Sequence, residues 1–426
     1  MTGLKTKSLR NNEMMNDAFN FKILAEMNFA PAERAEQAAA RELAETYSFG
    51  KQAAAEMVFV NGHFEAELST LDSLPGMGGV RVMSLEEAIA KDDVLIRKHL
   101  GKYARIAEHP FAAINTGGGG GVVVHVGRGA ACKRPIHLMF LTVAPHSPSE
   151  AVAASFPRVL VVAEENSECS VVETYAGSGE DAGGEYLTNA ITEMVLGPSA
   201  RMDHNKLQQE GMGAYHVAVQ QVNLEAKSLF VSHSTSLGSK LARNDLQVFL
   251  GGEEAEATLN GLVIAKDEQH IDNHTLLHHE KGHCTSHELY KHVLDGKATA
   301  VFKGKIFVQK DAQKTDSKQT SKSLLLTDTA CMNAQPSLEI YADDVKCTHG
   351  STTGPVDENA VFYLVSRGLS LAQARHLMTY AFAADITRRI RVAPVRTRIE
   401  DFMAAQHGLP QDLRITDEAR HDVALL

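Results

Sequence analysis

A cysteine and a histidine stand two positions apart in the segment PSLEIYADDVKCTHGSTTG, residues 336–354, at Cys347 and His349. On an extended strand these side chains share one face about 7 Å apart along the chain. A soft thiolate beside an imidazole can address one metal ion or sulfide cluster. Two donors fill half of a tetrahedral site, so the pair requires a facing chain or an open position for transfer. The bland alternative is a structural cysteine beside an ordinary histidine. Asp343 and Asp344 just upstream read either as bridging acids or as strand-ending turn residues.

A second constellation lies in residues 270–292, which hold His270, His274, His278, His279, His283, His287 and His292. Within it HEKGH matches the zinc-peptidase pattern, in which two imidazoles one helical turn apart bind zinc and Glu280 would activate water. Gly282 opposes the required helix, and alternation with Ile271, Leu276, Leu277, Leu289 and Val293 favours short strands with histidines on exposed faces. A zinc hydrolase stays as an alternative. The five glycines Gly117–Gly121 could cradle a phosphate, but VVVHVGRG follows them as a strand, so a turn is expected. Nor do the pairs Gly50-Lys51, Gly101-Lys102, Gly296-Lys297 and Gly304-Lys305 have the context of a nucleotide loop. Any ATP hydrolysis is therefore expected in another chain.

The elements that must position these residues belong to a chain of 426 residues, 44% hydrophobic and 22% charged, an ordinary globular balance. The formal net charge of −11 disfavours nucleic acid as a partner. No apolar run is long enough to cross a bilayer as a helix, so no membrane association is expected. The N-terminal stretch MTGLKTKSLRNNEMMND has neither the apolar core of a secretory signal nor the acid-poor composition of a transit peptide, which predicts a cytoplasmic protein. There, Cys132, Cys169, Cys284, Cys331 and Cys347 are expected to be reduced.

Three regions follow from the pattern. Residues 1–110 read as a helical domain: Pro31 suits a first helical turn, Gly50 suits a stop, and Ser84 with Glu87 has capping-box spacing. EMVFVNGHFEAELS within it reads as a hairpin turning at Asn61 and Gly62. Residues 111–354 read as a β core, with short runs centred near Ala218, Phe230, Gln247 and Gly261 and no proline between Pro198 and Pro336, so every backbone donor there can serve a ladder. Sandwich and parallel β-helix both fit this spacing. Residues 355–426 read as a C-terminal helical domain: Asp357 caps one helix, Gly368 ends it, and Ser370 with Gln373 boxes the next. Leu371, Ala374, Met378, Ala381 and Phe382 then form an apolar stripe, either packed on its own domain or docking a partner subunit.

The run LEIYADDVKCTHGSTTG, preceded by VFKGKIFVQKDAQKTDSKQTSKSLLLTDTA and followed by FYLVSRGLSLAQARHLMTYAFAADI, resembles the SufD branch of the SufB/SufD family of iron-sulfur cluster assembly scaffolds. The resemblance is densest over residues 270–390. It implies a mainly β fold, a right-handed parallel β-helix flanked by helical N- and C-terminal domains. It also implies a non-catalytic subunit joined to SufB-like and SufC-like partners, or paired with itself in isolation, with the SufC ATPase docking on the C-terminal helices. Cys347 and His349 map onto the family's interface cysteine and histidine, where a nascent iron-sulfur cluster, transient and shared with SufB, is held. Relatives often read HGAT where this chain has His349, Gly350, Ser351 and Thr352. The glycine after the histidine and the lack of an N-terminal CxxC favour the SufD branch over SufB. A purely structural β-helix binding module is the remaining alternative.

Overall fold

The computed structural model describes residues 21–71, 78–91, 93–104, 110–115, 120–143, 151–178 and 184–407. Two largely parallel sheets, of twelve and ten strands, face each other, each with one antiparallel pair near the N-terminus, and the chain alternates between them as it advances. One ladder runs Arg201 to Leu229 to Glu256 to Thr285 to Asp316 to Lys346, each register partner lying one coil further along the chain. The other runs Tyr215 to Leu241 to His270 to Thr299 to Cys331. This is a parallel β-solenoid. The runs near Ala218, Phe230, Gln247 and Gly261 are four successive strands of it, Ala214–Leu224, Leu229–Ser236, Leu241–Leu250 and Glu256–Ala265.

Strand alternation builds the core. In Glu256–Ala265, Ala257 and Leu259 point into the lumen, where they join Phe230, Leu277, Tyr290 and Phe302. Leu262 and Ile264 point outward and are covered by Tyr380, Ala383 and Ile386 of the helix Leu371–Thr387. Each buried leucine, isoleucine or phenylalanine among them contributes about 1.5–3 kcal/mol. The lumen is not uniformly apolar. Glu173 is fully buried and bonded to His204 at 2.9 Å and Tyr175 at 2.5 Å, and buried Lys206 meets His216 at 2.8 Å. On the opposite, outer face, buried Arg243 bonds Asp245 at 2.9 Å and Asp272 at 2.6 Å.

One corner of the coil is built the same way in coil after coil. Asn166, Ser199, Lys227, Glu254, His283 and Lys314 all have positive φ, between 57° and 62°. Their amides donate up the stack to the next turn, as in His283 to Gln313 and Lys314 to Asp344, both carbonyl acceptors. A left-handed conformation in these non-glycine residues is unfavourable by itself. The repeated backbone hydrogen bond to the next turn offsets it.

The flanking elements agree with the expected caps. Ser84 accepts from the Glu87 amide, one half of the expected box, while the Glu87 carboxylate takes Lys91 instead; Asp357 accepts from Asn359, and Ser370 with Gln373 forms a complete capping box. Gly368, at φ 103°, follows the helix Glu358–Ser366. Two N-terminal readings change. Pro31 ends the short strand Phe29–Pro31 rather than opening a helix, and the hairpin strand Ala55–Val60 joins the ten-stranded sheet beside Ile136–Thr142. Solenoid pairing therefore reaches into the region read as helical; the hairpin's own turn does form, with Asn61 at φ 52° and Gly62 at φ 79°. Gly121 opens the strand Gly121–Val126, while Gly117–Gly119 lie outside the described residues. Among the described residues, no helix is long and apolar enough to cross a membrane.

Candidate functional site

The solenoid ends on the strand Lys346–Pro355, which pairs with Asp316–Leu325 on one side and forms the edge of its sheet. In register, Cys347 stands over Ser317 and His349 over Gln319. Those two are lumen residues: the Ser317 hydroxyl meets that of Ser286 at 2.6 Å, and Gln319 Nε2 donates to buried Glu288 at 2.7 Å. Alternation then sets Cys347 and His349 on the lumen side of the last coil. Cys347 is half-buried and packs on the inner apolar cluster, whereas His349 is exposed. Burial is the largest influence on the Cys347 thiol and pushes its pKa up; Asp316 adds to this, and the Ser317 backbone opposes it.

The column beneath the pair is tightly built. A Cβ on Gly304 would fall 2.1 Å from Gln319 Nε2, so glycine is what lets the Gln319 side chain approach that strand. Glu288, buried with no opposite charge against it, has its carboxyl pushed up to about 7 by desolvation, which the hydrogen bond from Gln319 only partly counters. These residues were not singled out by sequence. Their spacing is that of successive coils, which alternation within one strand does not reveal.

Asp343 and Asp344 lie in the bend before the strand; Asp344 accepts the Lys314 amide and pairs with the Lys314 side chain, which is the turn reading. Among the described residues, no group of three or more His, Cys, Asp or Glu is placed to hold a metal ion.

The HEKGH segment does not form the helix a zinc peptidase needs. His279 ends the strand His270–His279 and is buried against Ser286 at 2.9 Å, while His283 occupies the repeated corner with φ 61°. The strand reading of residues 270–292 holds and the exposed reading holds in part: His283 and His287 are exposed, whereas His279 and His292 are fully buried and His274 is held beside Asp272 at 3.0 Å. Desolvation lowers the pKa of both His279 and His292 to about 4, which keeps them neutral.

On the C-terminal helices, Ala374 is fully buried, and Met378 and Phe382 pack against their own chain, chiefly around Leu324, Val356 and Val361. Leu371 is 56% exposed. The preceding helix Glu358–Ser366 exposes Phe362 at 74% and Tyr363 at 56%, apolar surface that the stripe of the following helix did not disclose.

Residues 146–382 match the SUF system FeS cluster assembly SufBD core domain, and residues 50–138 match the SufBD protein N-terminal region. An iron-sulfur cluster assembly SufBD family protein of Synechocystis is 31% identical over 369 residues, covering 85% of this chain and 80% of its own length. The iron-sulfur cluster assembly protein SufD of Escherichia coli is 35% identical over 268 residues, covering 63% of this chain and 62% of the relative. The chloroplastic protein ABCI7 of Arabidopsis thaliana is 32% identical over 279 residues, covering 65% and 58%. With a β-solenoid core matched over more than half of its length, the chain belongs to the SufBD family of the SUF iron-sulfur cluster assembly system.

Proposed function

We propose that this chain is a SufD-type scaffold subunit that carries no catalysis of its own and presents Cys347 and His349 to a nascent iron-sulfur cluster shared with a SufB-like partner. The observation that carries the reading is the last strand. It has a free edge and an almost wholly exposed surface, and it bears a thiol and an imidazole on one face with no further ligand among the described residues. An unpaired strand edge is a template for a second chain, which would bring the missing donors.

The chemistry assigned to each residue follows from its surroundings. The Cys347 thiol is held protonated by burial, and a bound iron ion would displace that proton as the sulfur becomes a thiolate ligand. His349 offers a ring nitrogen two positions along the same face. The iron-sulfur cluster is cargo here, assembled at the seam and passed on. ATP hydrolysis belongs to a SufC-like subunit docking on the C-terminal helices, with Leu371, Phe362 and Tyr363 as the exposed apolar contacts. Ala374, Met378 and Phe382 support that surface from beneath. Closure of two such ATPases would pull on these helices and open the seam.

The test is co-expression with SufB-like and SufC-like subunits. The Cys347→Ser, His349→Ala double variant should co-purify normally but hold several-fold less iron and sulfide per complex. Full cluster content in that variant would overturn the ligand role and leave a structural module.

A further inference from the structure

A cleft lies far from the last strand, against the outer face of the ten-stranded sheet. Its cavity volume is about 670 Å³, within the roughly 300–1,000 Å³ range of small-molecule sites. Three separate parts of the chain bring cations to it: Lys133 and Arg134 from the loop before Ile136–Thr142, Arg201 from the start of Arg201–Gln209, and Arg391 from the turn before Ala393–His407. Arg134 is anchored to the Lys51 carbonyl at 2.9 Å. Among the described residues, none of the four has an ion-pair partner. Like charges gathered in one concavity repel one another, and they do so here in a chain of net charge −11.

Two acids share the cleft, Glu168 at the rim and Asp203 deeper in. Burial pushes the Asp203 carboxyl up, with Arg391 and Asn205 opposing. With both acids ionised the lining keeps a surplus of two positive charges, which matches a phosphate monoester. The buried Ser170 hydroxyl in the wall has no hydrogen-bond partner, a free donor for a phosphate oxygen. The N-terminal turn of Ala393–His407 borders the cleft and adds its positive dipole end.

The remaining wall is aliphatic: Met202, Leu229, Val231 and Val392, with no aromatic ring in the lining. Beside it lie the Cys132 and Cys169 thiols, which burial keeps neutral, Cys169 being pushed up to about 12. Such a wall suits a short carbon chain and offers no stacking surface for a nucleobase. We propose that this cleft binds a small aliphatic phosphate monoester, with Arg201 and Arg391 as the principal anion contacts. The site is separate from Cys347 and His349, so it stands or falls independently of the cluster reading.

Titration calorimetry on the full chain at low ionic strength tests this with n-butyl phosphate, inorganic phosphate and ATP, using sodium chloride of matched ionic strength as the blank. Butyl phosphate should bind one per chain, about tenfold tighter than inorganic phosphate, and weaken as salt is raised. ATP should gain nothing from its base. The Arg201→Ala, Arg391→Ala double variant, altered at two exposed positions, should keep its thermal midpoint and lose at least tenfold in affinity. Absence of phosphate binding, binding at several equivalent sites, undiminished affinity in the double variant, or butyl and inorganic phosphate binding equally would each overturn the proposal.

Discussion

The strands Tyr186–Leu196 and Lys346–Pro355 occupy the same kind of solenoid with the same parallel pairing, yet the first is buried at every residue and the second is exposed at nearly every one. The middle strand has neighbours on both edges, covered faces, and a side-chain column above and below. The last has one neighbour. The solenoid therefore buries its interior coils most deeply and leaves Cys347 and His349 on its exposed last strand. A cysteine and histidine placed at Ala190 or Thr192 would be sealed; at positions 347 and 349 they are presented.

This contrast can be attacked by substitution. Leu259→Ala removes a fully buried lumen side chain and should cost about 2–5 kcal/mol in urea unfolding, whereas His349→Ala, on the exposed strand, should fall within about 0.5 kcal/mol. Similar losses for both would mean that the end coil is as integral as the middle. A smaller effect tests the column between the two regions. Because burial raises Glu288 from 4.5 to about 7, the unfolded chain loses that proton first as pH rises, and the carboxyl's contribution to stability is lost between about pH 4.5 and 7. Glu288→Gln should remove that part of the pH dependence, so the variant should gain on the parent at pH 8 relative to pH 4. Parallel stability curves for the two proteins would refute it. The smallest change lies outside the solenoid: Ser370→Ala breaks the capping box and should cost about 1 kcal/mol, read as a lowered unfolding midpoint.

Local rules made much of this molecule legible from sequence. Caps at Ser84, Asp357 and Ser370, the turn at Asn61-Gly62, and the strands around Ala218, Phe230, Gln247 and Gly261 depend on residues within a few positions of each other, and each was found where expected. The placement of Cys347 and His349 on one face needed only strand alternation. What escaped depends on the next coil. Gln319 bonds Glu288 at a separation of 31 residues, and Arg243 bonds Asp272 at 29. Coil lengths vary, so no fixed period advertises such pairs. The same blindness made His279 and His292 look exposed, because alternation says which residues share a face but not which face is the lumen. The cationic cleft was missed for a related reason: Lys133, Arg201 and Arg391 come from three distant stretches and carry no joint motif.

The repeated left-handed corner has a further consequence. Since each coil closes with the same hydrogen-bonded turn and adds about 4.8 Å of height, the stack works as a measuring rod. Adding or deleting one whole coil would shift the thiol-bearing tip relative to the N-terminal end by a fixed step without redesigning either, so the height of the stack, a simple integer, fixes how far the tip reaches toward whatever it meets.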